Sequence, residues 1–400
     1  MFTMKKILPI IITAFLLSAC TAFGAVVKNE PEVNIDTVEL VQDVVQEASV
    51  EEVDVKKEKT LMEKIEDIKK AEYYDYEQKN FLLEEVFTHH FPEKSKLDYT
   101  HFWAGYNGDI GMHFIDDGTV ANHYDFNTIN AGVDGVFKNN NADFRILFGF
   151  SPRTRRNFVA SMFSDVYVAT NKIPHHRIVA GYTRAPVGKE GGNSAYTLPF
   201  LARAQIARNF GTVRKIGTRV VGDYDLIDYD LGVYSSATYF HSFFPGAEFA
   251  GWVNLKPLGK TDGKYGKLKI GGGLEGGRWH DNYLVTGAYV GYEYKRFMAN
   301  FEWANANGYN GTAGHVVDKH ASGFYATVGY MLTKKLQLLA RYDEFNPNHD
   351  LKHNKKREYS VGLNYFIKGQ ALRLILNYVF CQNDSARNSH RIMLGTQIML

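Results

Sequence analysis

Four basic side chains are concentrated in one short stretch of the chain. Arg184, Lys189, Arg203 and Arg208 fall within 25 residues, and Glu190 is the only acidic residue among them. Guanidinium and ammonium groups attract anions, most strongly in a narrow space from which water is partly excluded. The stretch therefore predicts a region that binds or conducts small anions.

The segments around this stretch alternate apolar and polar side chains over the last three hundred residues. One example places Leu374, Leu376 and Tyr378 on one side, with Arg373 and Asn377 on the other. A period of two is typical of a strand, and an apolar outer face with a wet inner face is typical of a strand in a transmembrane barrel. About 16 such segments occur, and 14 or 18 remain possible because their ends are poorly marked. The fold class predicted is an all-β, antiparallel transmembrane barrel over residues 97–400.

The N-terminus has the pattern of an export signal over residues 1–25. Lys5 and Lys6 precede an apolar run, Ile7–Leu17, whose 11 residues are too few to span a membrane. Nothing later in the chain offers 18 consecutive apolar residues. A closed barrel is then the only spanning structure that satisfies every backbone N–H and C=O.

The end of the signal allows two interpretations. Leu17–Cys20 resembles a lipobox, in which Cys20 would be lipidated, while ordinary cleavage near Gly24 or Ala25 would remove this cysteine. Either way Cys381 is the only other cysteine, so no intrachain disulfide framework is expected.

Residues 26–96 form an acidic segment that we expect in the periplasm. It contains 10 Lys and 19 Asp plus Glu, whereas residues 97–400 contain 34 basic and 25 acidic residues. Residues 26–55 have no sustained period and predict a flexible linker. Residues 56–87 predict a helix, either in a short coiled coil or alone in solvent.

The connection from Arg184 to Phe210 is too long for a hairpin turn and is partly apolar. It carries Pro186 and several glycines, followed by a helix-compatible run, Leu198–Arg208. We expect a loop folded inward as a constriction, with an ordinary external loop as the alternative.

Strand parity predicts which charges face the interior. The inward basic residues are Arg145, Arg177, Lys215, Arg219, Lys267, Lys269, Arg296, Arg341, Arg373 and Arg391, and the inward acidic residues are Asp143, Asp165, Asp228, Asp230, Glu275, Glu302, Asp343 and Glu358. A neighbouring carboxylate lowers the value of an arginine for an anion, so many of these pairs could instead brace the wall across strands. The predicted ion pathway consists of Arg184, Lys189, Arg203, Arg208, Lys215, Arg219, Arg177 and Arg145.

Phe and Tyr are abundant, at 27 and 25 residues. Tyr283, Tyr289, Tyr292 and Tyr294 fall near predicted strand ends, where amphipathic rings favour the boundary between lipid headgroups and hydrocarbon. A soluble all-β protein would instead bury such rings in a shared core.

Several motifs along the chain resemble those of the phosphate-selective porin family, the outer-membrane porins O and P. These motifs are Arg177–Glu190 (RIVAGYTRAPVGKE), Arg203–Arg208, Arg214–Gly217 (RKIG) with Gly222, Arg341–Asp343 (RYD), Asn346–Asp350 (NPNHD), Val361–Tyr365 (VGLNY) and Leu374–Tyr378 (LILNY). The similarity extends over roughly residues 100–400, and Leu400 departs from it because the family usually closes with an aromatic residue.

The resemblance implies a homotrimer of sixteen-stranded barrels in the outer membrane of a Gram-negative bacterium, in contact with its lipid and passing small anions such as phosphate. It does not decide whether phosphate is preferred, so a general porin remains an alternative. A barrel that only anchors an adhesin or a structural segment is a second alternative.

An enzyme is not expected. A nucleophile would need a histidine on the same wall, and Ser389 and His390 are adjacent, so a strand points them to opposite faces. The 14 histidines lack accompanying cysteines or carboxylates at ligand spacing, so no metal site is expected. Neither a cofactor nor a nucleic-acid partner is expected.

Overall fold

The computed structural model describes residues 81–123, 128–150, 162–237, 244–311 and 315–400. The predicted signal, the lipobox cysteine Cys20 and residues 26–80 of the acidic segment lie outside the described residues. No helix in the described ranges is long and apolar enough to cross a membrane.

The described chain forms one antiparallel sheet that closes on itself as a barrel. Its strands are β1 (Thr88–His90), β2 (Leu97–Ile115), β3 (Val120–His123), β4 (Thr128–Phe137), β5 (Ala142–Phe150), β6 (Phe163–Thr170), β7 (His176–Arg184), β8 (Arg214–Asp223), β9 (Ile227–Ser235), β10 (Ala247–Leu255), β11 (Lys267–Trp279), β12 (Asp281–Tyr294), β13 (Phe297–Tyr309), β14 (Val317–Met331), β15 (Leu336–Asn346), β16 (Lys356–Lys368), β17 (Leu372–Asn383) and β18 (Ser389–Met399).

The barrel wall has 16 positions, as the sequence predicts. β3 and β4 both pair with β2 and form one interrupted wall strand, while β1 lies outside the ring as a short addition to β2. The ring closes where β18 pairs with β2. The backbone of Leu400 extends this seam by exchanging two hydrogen bonds with Ala104, so closure does not require an aromatic final side chain.

The alternation along β17 shows the inside and the outside of the wall. Leu376 and Tyr378 are 43% and 41% exposed on the outer surface, whereas Arg373 and Asn377 are buried on the inner side. A strand that presents apolar residues outward and polar residues inward is suited to a hydrocarbon exterior. The predicted parity is therefore confirmed.

Contrary to the prediction, the four tyrosines of β12 do not all lie on the outer surface, where rings would meet the boundary between headgroups and hydrocarbon. Tyr283 and Tyr289 are buried inside the barrel, where the Tyr283 hydroxyl contacts Glu248. Tyr292 and Tyr294 have the opposite parity, and their rings stack with centroids 6.4 Å apart. The error arises because alternation, rather than distance from the strand end, decides which face a ring occupies.

The connections differ in length between the two ends of the barrel. At one end Tyr294 is joined to Phe297 by two residues, and Lys295 has a φ of 53°. At the other end β15 and β16 are joined by residues 347–355. The single residue His280 between β11 and β12 is an exception to the long connections. Short periplasmic turns and longer external loops are typical of outer-membrane barrels, so we call the two ends periplasmic and external.

A short segment precedes the wall at the periplasmic end. Helix α1 (Glu84–Phe87) leads into β1, which pairs with Tyr99–His101 of β2. Of the helix predicted over residues 56–87, only Phe81–Phe87 is described, and four of these residues are helical.

One fully buried charge cluster lies in the wall between β8 and β11. The Lys215 ammonium contacts the carboxylates of Glu248 and Glu275, the latter at 2.7 Å, and none of these side chains is more than 1% exposed. Removing the only cation of such a cluster leaves buried carboxylates without compensation.

We therefore expect Lys215→Met to destabilise the barrel by about 3–5 kcal/mol. Glu275→Gln should lower the free energy of unfolding clearly less, because it leaves an ion pair, Lys215–Glu248, with no net charge. The temperature at which each purified variant loses its compact migration in SDS gels provides the measurement. A Lys215→Met barrel as stable as the wild type would contradict the assignment of this cluster as a structural brace.

Candidate functional site

The connection between β7 and β8 lies inside the barrel. We call residues 185–213 the constriction loop; it contains α2 (Lys189–Gly192), a single 3-10 turn (Ala195–Thr197) and α3 (Gln205–Phe210). Leu198, Leu201 and Ile206 are each no more than 6% exposed. The predicted inward fold is confirmed, and the alternative of an external loop is wrong.

Inward-facing side chains of the wall hold the backbone of the constriction loop. The Leu201 N–H donates to Asn377 Oδ1 at 3.0 Å. The donors to loop carbonyls are Asn107 to Ala195 (3.0 Å), Gln397 to Tyr196 (2.9 Å), Arg373 to Leu198 (2.7 Å) and Asn364 to Pro199 (2.9 Å). Because an extended segment inside a barrel has no neighbouring strand, these side chains replace the partners that a sheet would supply.

Arg341 of β15 is a central anchor of the constriction loop. Its guanidinium pairs with Glu190 at 2.5 Å and donates to the carbonyl of Ala202 at 3.1 Å. It also lies over the rings of Phe200 and Tyr325, at 4.6 and 5.2 Å from their centroids. Glu190, the only acidic residue of the loop, therefore serves attachment.

Two further wall carboxylates receive backbone N–H groups of the loop. Asp343 accepts from the N–H of Gln205 at 2.7 Å, and Glu302 accepts from the N–H of Lys189 at 2.8 Å. Gly188 precedes this second contact with a φ of 71°, and a Cβ there would lie 2.4 Å from Glu302 Oε1. Only glycine fits this approach.

Glycines of the wall make room for the apolar side chains of the constriction loop. A Cβ placed on Gly395 would lie 2.5 Å from Leu201, and one placed on Gly362 would lie 2.9 Å from Phe200. The loop therefore packs closely against β16 and β18.

Most of the predicted pathway residues on strands have carboxylate partners. Arg177 pairs with Asp143, and the other strand pairs are Arg145–Asp134, Arg219–Asp230 (2.8 Å) and Arg214–Asp165 (2.9 Å). In the loop, Arg208 pairs with Glu358 at 2.8 Å. The interpretation of these pairs as braces across the wall therefore applies to Arg145, Arg177, Arg208 and Arg219.

Arg184 and Arg203 differ from these residues. Arg184 donates to the carbonyls of Gly191 and Asn193, and Arg203 donates to those of Glu190 and Asn193. Within the described ranges neither guanidinium forms an ion pair, and both residues are partly exposed. They are the two predicted pathway arginines whose charge is not directly compensated.

Charges around Arg184 add to the positive potential. Arg184 lies opposite Arg214 in the β7–β8 ladder, and Arg203 and Arg219 also act on it, whereas the carboxylate of Asp165 acts in the opposite sense. The group around Arg184 thus has four guanidinium groups and two carboxylates, a net charge of +2. Its members are Arg184, Arg203, Arg214, Arg219, Asp165 and Asp230.

The remaining two predicted pathway residues have other environments. The Lys189 ammonium lies 5.9 Å from the centroid of the Tyr289 ring. Lys215 faces inward as predicted, but it is fully buried between two carboxylates and offers no surface to a passing ion.

The model of the phosphate-selective porin O and P family matches residues 274–399. The resemblance predicted from the motifs is thereby confirmed over the C-terminal third of the chain, and this match does not include the constriction loop. No curated protein matches the chain.

Solved outer-membrane channels share the fold at low sequence identity. The anion-selective porin of Comamonas acidovorans is 10% identical with a TM-score of 0.55, covering 75% of this chain and 99% of its own. The channel DcaP of Acinetobacter baumannii is 12% identical with a TM-score of 0.52, covering 78% and 99%. OprB of Pseudomonas putida is 10% identical with a TM-score of 0.54, covering 75% and 94%.

The family match and the closed barrel confirm the predicted outer-membrane location and indicate a porin channel rather than an enzyme. Ser389 is buried on the inner side of β18, whereas the His390 ring stacks outside against Phe380 with centroids 4.9 Å apart. The adjacent serine and histidine therefore lie on opposite faces, as expected.

We expect Gly395→Leu to displace the constriction loop from the wall, because the new side chain would occupy the space of Leu201. The displaced loop should narrow the lumen, lower single-channel conductance and become cleavable by trypsin after Arg203. Gly192→Ala is the matched control, since nothing lies within 4 Å of a Cβ at this position. Unchanged conductance and protease resistance in Gly395→Leu would show that the loop does not depend on this packing.

Proposed function

We propose that the protein is a homotrimeric porin whose water-filled channel prefers small anions at the constriction loop. The observation that carries this proposal is the pair Arg184 and Arg203, whose guanidinium groups bond to carbonyl oxygens and have no ion-pair partner in the described chain. A carbonyl orients a guanidinium without cancelling its charge, so the positive field remains available to an ion.

The position of the pair strengthens this argument. The backbone of the constriction loop is held by β2, β13 and β15–β18, and its apolar side chains also pack with Tyr234 of β9 and Ala250 of β10. Arg184 and Arg214 flank the two ends of the loop, and Arg219 lies further along β8. A narrow lumen between walls of low dielectric constant increases the effect of fixed charge on ions.

Phosphate is the substrate that we propose within this class. Arginine binds phosphate oxygens through two parallel hydrogen bonds, and Arg184 and Arg203 are brought together by their shared acceptor, the Asn193 carbonyl. The Arg–Asp pairs of the wall favour instead a general porin with little selectivity. Selectivity measurements distinguish the two.

We expect Arg203→Gln to reduce anion preference, because it removes one uncompensated charge from the constriction loop. The measurement is the reversal potential of single channels between about 0.1 and 1 M KCl, where the screening length changes from about 10 to 3 Å. The anion-to-cation permeability ratio should fall by roughly twofold or more, since a unit charge at 4 Å contributes about 1 kcal/mol even in bulk water.

The double variant Arg219→Gln/Asp230→Asn is the matched control. It removes a charged pair from the same wall without changing net charge, so its reversal potential should remain that of the wild type. Millimolar phosphate should reduce chloride current in the wild type and less so in Arg203→Gln. A wild-type channel that prefers cations would contradict the anion proposal and leave a general porin, and a barrel that does not conduct would favour an anchoring role.

A further inference from the structure

The segment Phe81–His90 lies in the periplasmic mouth of the barrel. We call these residues the mouth segment. The N–H of Leu82 donates to the Met399 carbonyl at 2.8 Å, and Lys368 Nζ donates to the Leu82 carbonyl at 3.1 Å. The far end of the segment is fixed by the pairing of β1 with β2. Both ends are therefore attached to the barrel.

Phe81 anchors the mouth segment on the inner side of the wall. Its ring lies 4.6 Å from that of His101 and 5.7 Å from that of Trp103. Trp103 in turn contacts Tyr196 of the constriction loop, with ring centroids 6.2 Å apart. A continuous line of rings thus connects the mouth segment to the constriction loop.

Two carboxylates of the mouth segment border an open space inside the barrel. Glu84 and Glu85 line a cavity of about 630 Å³ together with the inward residues Arg145 and Arg177. Both carboxylates are exposed, and neither forms an ion pair in the part of the chain that the structure describes.

The two wall arginines of this cavity do not compensate these carboxylates. Arg145 is engaged by Asp134, and Arg177 is engaged by Asp143. The cavity therefore has a net charge of −2 that comes from Glu84 and Glu85, while the group around Arg184 has a net charge of +2. Along β7, Arg177 of the cavity lies near the start of the strand and Arg184 lies at its end.

We propose that the mouth segment is a charge filter of the channel, with Glu84 and Glu85 as its acidic groups and Phe81 as its positioning residue. This inference rests on the proposed function, because it assumes that ions pass both the constriction and the mouth. Its consequence is rectification of the current. At one polarity the voltage drives anions in past the basic constriction and cations in past the acidic mouth. Each ion then enters through the region that attracts it, and both anions and cations accumulate in the lumen.

The opposite voltage drives anions and cations out of the lumen through the regions that attract them, so both are depleted between the two charged regions. The channel should therefore pass anions more readily from the external side to the periplasm than in the reverse direction. The effect depends on charge, so it should decrease as salt shortens the screening length.

The experiment records full-length single channels in planar bilayers at both voltage polarities in symmetric KCl. We expect the ratio of the larger to the smaller current to be roughly 1.5 or more at 0.1 M, where the screening length is about 10 Å, and to approach 1 at 1 M, where it is about 3 Å. In Glu84→Gln/Glu85→Gln the ratio should approach 1 at both concentrations.

The matched control is Glu93→Gln, which removes an exposed carboxylate from the turn after β1 without touching the cavity. Its current ratio should equal that of the wild type. Phe81→Ala should lower the ratio although both carboxylates remain, because the segment loses its anchor. Phe87→Ala, at an exposed ring 39% accessible, should leave it unchanged.

A wild-type channel that does not rectify at low salt would overturn the inference, and so would a double variant that keeps the wild-type ratio. Rectification that persists at 1 M KCl would also overturn it, because a steric narrowing is insensitive to salt. The reversal potential of the same channels separates this result from the proposed function. Anion selectivity that survives in a channel without rectification leaves the porin proposal intact.

Discussion

The structure depends on one constraint: a loop that enters a barrel must find hydrogen-bond partners for its backbone on the inner wall. Polar groups buried without partners destabilise a fold by an amount comparable to a lost hydrogen bond each. Here β2, β13 and β15–β18 supply amides, arginines and carboxylates that contact the constriction loop. The polar interior that a water-filled barrel already requires is thus also what holds the loop.

This constraint determines which charges can act on an ion. Glu190, Glu302 and Asp343 are used for attachment, because each accepts hydrogen bonds across the boundary between loop and wall. Arg177 and Arg219 are paired with aspartates, whereas Arg184, the last residue of β7, and Arg203 bond to carbonyls of the loop. The carboxylates near the constriction are therefore engaged in attaching the loop, whereas the guanidinium groups of Arg184 and Arg203 are not paired with a carboxylate in the described chain.

The barrel could be predicted from the sequence because alternation reports directly on the two sides of a wall strand. The inward loop was also predictable, since a long, partly apolar connection has few other places to go. Charge pairing was not, because partners such as Arg177 and Asp143 lie on different strands and their register is invisible in one sequence. The motif Arg341–Asp343 was recognised, but its contacts with Glu190 and Gln205 required the fold. The sequence predicts a helix that includes the start of the mouth segment, and α1 lies there, but the helical pattern does not report the contacts of Phe81 and Leu82 with the wall.

In the proposed channel, the constriction loop borders the ion path with uncompensated positive charge. The most direct test is Gly192→Cys in a Cys381→Ser background, because a side chain at this exposed loop position enters open space and leaves Arg184 and Arg203 unchanged. The rates at which an anionic and a cationic thiol reagent of equal size reduce the single-channel current are then compared. Both reagents should reduce the current, and the anionic reagent should react faster, by a factor that declines with salt. Faster reaction of the cationic reagent, or a current that neither reagent changes, would contradict this proposal.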